Sequence, residues 1–432
     1  MNRRRVQFIC AVGIGLCCGT VRAQETNTLT LTEAQQITLR NHPRITEAEL
    51  EALASQQVVR ETRSGFLPTL NFNATAVGAR ESNTRIAAGG LSNSSIFDRN
   101  AEGLAFNQLI TDFGRTAHLL NSSRLYSRAQ GANTQATREV ILLQVDVAFF
   151  AALRAQSVLA VARQTLDTRK LLLDQIQALA ENKLRSDLDL SFAQVTYEEG
   201  RLLVAKAQND LDAAFNVLST LLGDREQRTY RLLEEPTAPP APTEADPWID
   251  EALSKRPDLA RLRFEWNAAE QYAKAQRALN YPTISAFGAG GLIPERDDAH
   301  FESRYAAAGV NLSLPIFDGG LNAAKRSEAE FRSQAAEERL RDAENNAIHD
   351  VRTASLNVNY SFERLDLTQK LFDNASQAFD LAQARYKLGS SSIVELSQAQ
   401  LSKTSAEIDY TSARYEYDIQ RAILNFQVGA PQ

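Results

Sequence analysis

The chain has 432 residues, 44% of them hydrophobic and 23% charged, with a formal net charge of −6. An acidic balance removes the electrostatic basis of nucleic-acid binding, so no nucleic-acid partner is expected. The three cysteines (Cys10, Cys17, Cys18) and the single methionine all lie close to the N-terminus.

Residues 1–23 have the plan of a secretory signal peptide: Arg3, Arg4 and Arg5, an apolar run from Val6 to Cys18, then Val21-Arg22-Ala23. Cleavage near Ala23 removes every cysteine, which leaves no thiol for a disulfide, a metal or a nucleophile. Leu16 before Cys17, and Cys17 before Cys18, are not the small residues that precede a lipidated cysteine. No later segment offers the eighteen or so uncharged apolar residues of a membrane helix. A membrane crossing would have to be made by strands.

The rest of the chain is duplicated. Pro43 and Pro68 recur as Pro257 and Pro282 at one common offset. Leu109-Ile110-Thr111-Asp112-Phe113-Gly114 recurs as Pro315-Ile316-Phe317-Asp318-Gly319-Gly320, and Leu222-Gly223 as Val428-Gly429, at a slightly smaller one. The period is far above the 20–50 residues of a solenoid unit, so a whole half-protein is repeated. The first repeat is assigned to 24–228, a Pro-rich linker to 229–245, and the second repeat to 246–432.

In each repeat a period-two segment comes first. Leu70, Phe72, Ala74 and Ala76 alternate with Asn71, Asn73 and Thr75, and Val310, Leu312 and Leu314 alternate with small or polar residues. These patterns predict strands at about 69–78, 101–110, 282–289 and 303–314, with polar loops from Gly78 to Asn100 and from Gly290 to Glu302. Long proline-free stretches follow, Arg115 to Glu181 and Leu321 to Lys387, with apolar residues such as Leu143, Val147 and Phe150, or Leu172, Ile176 and Leu179, in narrow coiled-coil stripes. A helix of that length is roughly 100 Å long, too long for a compact core. Second helices are expected over Asp189 to Leu222 and Ile393 to Val428, giving one long hairpin per repeat. At Gly389 a glycine stop and serines support the turn. At Lys183 to Asp187, where no glycine stands, a bent single helix is the alternative. Four strands cannot close a barrel and an open edge in lipid is forbidden, so strands in a membrane require an oligomer. Ordinary surface hairpins are the other reading.

These features resemble the TolC-type outer-membrane efflux channels. The likeness is carried by the duplication, by Leu314-Pro315-Ile316-Phe317-Asp318-Gly319-Gly320, by Ala384-Arg385-Tyr386-Lys387-Leu388-Gly389 with Ser390 to Leu396, and by Thr30-Leu31-Thr32-Glu33-Ala34. The resemblance implies a mainly α fold with a small β part, in which a homotrimer forms a 12-stranded barrel in outer-membrane lipid and a helical tunnel across the periplasm. It further implies docking on a periplasmic adaptor (membrane fusion) protein and an inner-membrane pump.

The resemblance also implies site residues. Glu395 falls at an acidic-ring position of the coil tips, Gln398 stands one turn on where some members have an acid, Asp189 is the first-repeat counterpart of Glu395, and Tyr386 is an aromatic gate partner. Ser391 replaces a basic gate partner. A threefold ring of carboxylates at a constriction favours cations. The alternative for Glu395 and Asp189 is that they only balance helix dipoles. Leu388 and Gly389 are candidates for adaptor contact or for ordinary hairpin packing. Asp112, Gly114, Asp318, Gly319 and Gly320 are expected to serve the strand-to-helix junctions, the acids accepting from unpartnered helix amides and the glycines allowing a tight path. Asp112-Phe113-Gly114 spells a kinase signature without the rest of that set. His42, His118, His300 and His349 lack metal-ligand spacing, so no metal, cofactor or catalytic residue is expected. The rival functional reading is an exported coiled-coil scaffold that conducts nothing.

Overall fold

The computed structural model describes residues 27–77, 84–85, 95–96, 99–223, 230–234, 246–296 and 303–429. The leader with its three cysteines, most of the 78–100 loop, His300 and the proline-rich part of the linker lie outside the described residues.

The first repeat runs β1 (Asn27–Leu29), α1 (Leu31–Asn41), α2 (Pro43–Ser64), β2 (Thr69–Val77), β3 (Thr84–Arg85), β4 (Ser95–Ile96), β5 (Arg99–Thr111), α3 (Arg115–Glu181) and α4 (Asp187–Leu222). After β6 (Tyr230–Leu232), the second repeat supplies α5 (Asp246–Lys255), α6 (Pro257–Arg277), β7 (Thr283–Arg296), β8 (Arg304–Ser313), α7 (Leu321–Lys387) and α8 (Ile393–Val428). The matched rods α3 and α7 have 67 residues each, and α4 and α8 have 36 each. A capping box between Thr30 and Glu33 starts α1, and prolines open α2 and α6 at positions whose amides need no helical partner.

β2, β5, β7 and β8 form one antiparallel four-stranded sheet in the order β2-β5-β7-β8. Its two edges therefore belong to different repeats. β7 extends beyond its expected end to Arg296, through residues first assigned to a loop, because its later residues pair with β5 and β8. Below the sheet α2, α3, α6 and α7 stand side by side in that order, and lower still the hairpins α3–α4 and α7–α8 meet through α3 and α8.

Two further expectations need correction. The buried stripe of α3 runs through Ile141, Val145, Ala148, Ala152, Leu159 and Ala162, while Leu143, Val147 and Phe150 are only partly buried and Leu179 is exposed. The reason is contact on several sides: α3 touches α1, α4, α6 and α8, so its buried arc is wider than one seam. For the same reason α3 contains a window long and apolar enough to cross a membrane, 44% of it buried inside the fold. Within the stretch assigned to the linker, β6 pairs in parallel with β1. Glu234, next after that strand pair, accepts from Tyr415 Oη at 2.5 Å and Arg414 Nη2 at 2.9 Å. Tyr415 is in turn 2.9 Å from Ser157 Oγ on α3, so the seam between repeats is tied to both hairpins. Burial and the Glu234 carboxylate push the Tyr415 phenol up to about 12.

Candidate functional site

Both coil turns close with the same backbone motif. In the second repeat the Ser390 amide donates to Arg385 O at 2.9 Å and the Gly389 amide to Tyr386 O at 3.0 Å. In the first, Leu184 donates to Leu179 O and Lys183 to Ala180 O, both at 2.8 Å. These are the paired bonds of a Schellman stop, which needs a left-handed residue. Gly389 (φ 75°) provides it in one turn and Lys183 (φ 59°) in the other. The first-repeat turn is thus a hairpin even without glycine.

The tips pack against each other in a cluster of Ile176, Ala193, Phe379, Ala382, Tyr386, Ile393 and Leu396. Tyr386 is only 5% exposed, its Oη meets no hydrogen-bond partner, and burial pushes its phenol upward against the opposing effect of Arg185. The Arg185 guanidinium lies 4.3 Å from the centre of that ring and donates to Tyr386 O at 3.3 Å. This cation was not singled out in the sequence. The repeat offset could have found it, since Arg185 is the first-repeat counterpart of Ser391.

Asp189 makes a capping box with Ser186, its Oδ2 accepting from the Ser186 amide at 3.3 Å. The Glu395 amide donates to Ser392 Oγ, and Glu395 Oε1 accepts from Arg385 Nη1 at 2.8 Å. Both acids thus sit in helix first turns, and Glu395 has a cation beside it. Arg385, like Arg185, shows its role only through its partner. Gln398 is exposed, Ser391 is half-buried with an unpartnered Oγ, and Leu388 is 84% exposed at the extreme of the tip. Around Gly389 an added Cβ would meet nothing within 4 Å.

At the other end the strands turn into the rods. Asp112, buried, accepts from the Thr116 amide at 2.8 Å and its hydroxyl at 2.5 Å, and Asp318 accepts from the Gly320 and Asn322 amides at 2.9 and 3.0 Å. Gly114, Gly319 and Gly320 all have positive φ, as does Phe113. Carboxylates here satisfy helix amides and oppose the positive helix end.

Register assigns the faces of the sheet. One carries Leu70, Phe72, Leu104, Phe106, Ile284, Ala286, Val310 and Leu312, with Glu102 and Arg304 together in the row Ala74-Glu102-Leu292-Arg304. From Leu312 to Arg304 is about 27 Å along the strand, or roughly 21 Å of height at a barrel strand's tilt. Exposed Phe66, Phe113, Tyr281, Ile316 and Phe317 lie at the opposite, junction end. An apolar band bounded by charges above and aromatic residues below matches the thickness of an outer membrane. The other face carries Asn71, Asn73, Thr75, Asn107, Ser285 and Asn311.

The sequence profile described as outer membrane efflux protein matches residues 34–224 and 248–430, one segment in each repeat. The chain is 28% identical to outer membrane protein OprJ of Pseudomonas aeruginosa over 378 residues, covering 84% of this chain and 76% of that protein. It is 22% identical to outer membrane protein TolC of Escherichia coli over 378 residues, with 84% and 75% covered. Among solved structures, the outer membrane protein VceC of Vibrio cholerae superposes with a TM-score of 0.79 at 19% identity, over 92% of this chain and 96% of that one. A membrane protein from Pseudomonas aeruginosa gives a TM-score of 0.79 at 25% identity, with 92% and 93% covered. The chain belongs to the outer membrane efflux protein family and is an outer-membrane channel component of a tripartite efflux or secretion system.

Proposed function

We propose that three copies of the chain close head to tail into one 12-stranded barrel over a helical tunnel, forming a passive duct that opens at the coil tips. The carrying observation is the sheet, whose edge strands β2 and β8 pair with no further strand among the described residues, and its mostly apolar outer face. Unpaired backbone groups cannot be left in hydrocarbon, so β8 of one copy must pair with β2 of the next. The helices repeat this geometry. Leu50, Leu53 and Val58 are exposed on α2, Leu188, Val195 and Leu202 on α4, and Phe331, Leu356, Tyr360, Leu367 and Leu371 on α7. These apolar flanks lie at opposite sides of the protomer and supply the mating surfaces of a heterologous ring. The number three comes from the family resemblance.

The tips close the duct. Arg185 and Tyr386 interlock the two hairpins of each protomer, and Asp189, Glu395 and Gln398 set the charge around the opening. Leu388 and Gly389 present an apolar knob and a bare backbone to a periplasmic adaptor, which couples the duct to an inner-membrane pump. Relatives include a protein named for alkaline protease secretion (24% identical) as well as one named a probable efflux pump outer membrane protein, SepC of Pseudomonas putida (24% identical), so both small molecules and polypeptides fit as cargo.

Envelope fractionation tests this reading. The duct requires detergent for extraction and migrates as a heat-sensitive species three times the protomer mass. Release of a monomer with the soluble periplasmic contents would instead support a non-conducting scaffold.

A further inference from the structure

The inner face of the sheet carries two aromatic side chains among small and amide residues. Register places Phe287 in the row Thr69-Asn107-Phe287-Gly309 and Tyr305 in the row Asn73-Gly103-Gly291-Tyr305. The Phe287 ring and the Tyr305 hydroxyl each lie over glycine. A Cβ on Gly309 would stand 2.9 Å from Phe287 Cζ, and Cβ atoms on Gly103 and Gly291 would stand 2.3 and 2.7 Å from Tyr305 Oη. Tyr305 therefore reaches from β8 across β7 to β5. Glycine inside a strand marks close approach by another group: the Phe287 ring at Gly309, the Tyr305 hydroxyl at Gly103, and both the Glu102 carbonyl and the Tyr305 hydroxyl at Gly291.

The rest of that face is small or uncharged: Ala101, Ala105, Ala289 and Ala307, with Asn71, Asn73, Asn107 and Asn311. Among the described inner-face residues of rows Thr69 to Thr75 none is charged, since Glu102 and Arg304 lie on the outer face. Such a wall has no electrostatic means of selecting cargo. It offers instead two half-exposed ring surfaces per protomer, four residues apart along the strands, or about 13 Å.

We propose that Phe287 and Tyr305 form a two-level aromatic contact surface inside the barrel for planar aromatic cargo, held flat against the wall by Gly309 and by the Gly103–Gly291 pair. The inference rests on the trimeric-barrel reading above. Flat rings present their π faces to passing molecules while leaving the bore wide. Rings standing upright would obstruct it. Any planar aromatic molecule can stack on such faces irrespective of its polar substituents, which suits a duct that receives varied substrates.

The test uses the full-length protein in planar bilayers, with ethidium and tetraethylammonium added from the extracellular side. The two share a charge, and only ethidium is planar and aromatic. For the Phe287→Ser/Tyr305→Ser channel, the ethidium concentration giving half block should rise about tenfold, as expected for loss of one to two stacking contacts. Tetraethylammonium block should be unchanged. Gly309→Ala, whose new methyl would meet the Phe287 ring first, should tip that ring into the bore and lower conductance while retaining ethidium block. Conducting channels with unaltered ethidium block in the double variant, and equally in the single Phe287→Leu and Tyr305→Ser variants, would overturn the proposal. So would an equal change for both cations. Failure of the unaltered protein to form channels would overturn the barrel reading itself.

Discussion

The two coil tips are one turn built twice with different side chains. Helix lengths, N-cap serines (Ser186 and Ser392) and Schellman bonds coincide, yet Lys183 stands opposite Gly389, Arg185 opposite Ser391, Asp189 opposite Glu395 and Ala180 opposite Tyr386. The backbone hydrogen bonds hold the geometry in both copies, which frees the side chains to become complementary. The cation of one tip consequently sits on the aromatic ring of the other. A duplicated hairpin has thereby acquired an internal lock that neither copy could form with a replica of itself.

The largest effect should come from breaking that lock. A part-buried cation–π contact contributes about 1–2 kcal/mol, so Arg185→Ala should shift the closed–open ratio roughly five- to thirtyfold per protomer. Bilayer conductance should rise several-fold. Arg185→Lys should restore it only in part, because an ammonium lacks the planar fork that both stacks on Tyr386 and donates to its carbonyl.

The repeats differ in their cores as well. First-repeat Asp146 is buried and accepts from Gln35 Nε2 at 2.7 Å, whereas its counterpart Arg352 is exposed. Burial raises the Asp146 carboxyl from 3.8 to about 6. The folded state thus holds this proton more tightly than the unfolded chain. Its stabilising contribution is complete below about pH 4 and is lost as pH rises through 6. Asp146→Asn should accordingly stabilise the protein by about 2 kcal/mol at pH 7.5, with little gain at pH 4, as followed by thermal unfolding.

A smaller change sharpens the turn comparison. Lys183→Gly relieves a left-handed non-glycine residue and should add about 0.5–1 kcal/mol per protomer, whereas Gly389→Lys should subtract a similar amount. Denaturant midpoints measure both. The smallest effects concern tip charge, where exposed ion pairs contribute at most about 1 kcal/mol. Glu395→Ala and Asp189→Ala should each reduce cation preference and multivalent-cation block about twofold or less. Arg385→Ala should increase both by freeing the Glu395 carboxylate, and unchanged selectivity in all three would remove these residues from the constriction.

The rods, the paired strands and the duplication were legible because each is a local periodicity: three-four spacing over a long run, period two over a short one, and a constant offset between motifs. Gly389, Gly319 and Gly320 marked turns because left-handed backbone favours glycine. Lys183 marked nothing, since its conformation is imposed by the hydrogen bonds of the turn. Arg185 and Arg385 were hidden for another reason, because arginines on a polar helix are ordinary until a partner is known.

The elements and their twofold plan are written in local patterns, for they depend on residues near one another along the chain. Packing settled which strand neighbours which, which arc of α3 is buried, that β6 pairs with β1, and that Arg185 finds Tyr386 and Tyr305 reaches two glycines. Each of those is a contact between residues far apart in the chain. Its free energy depends on geometry that no local pattern encodes.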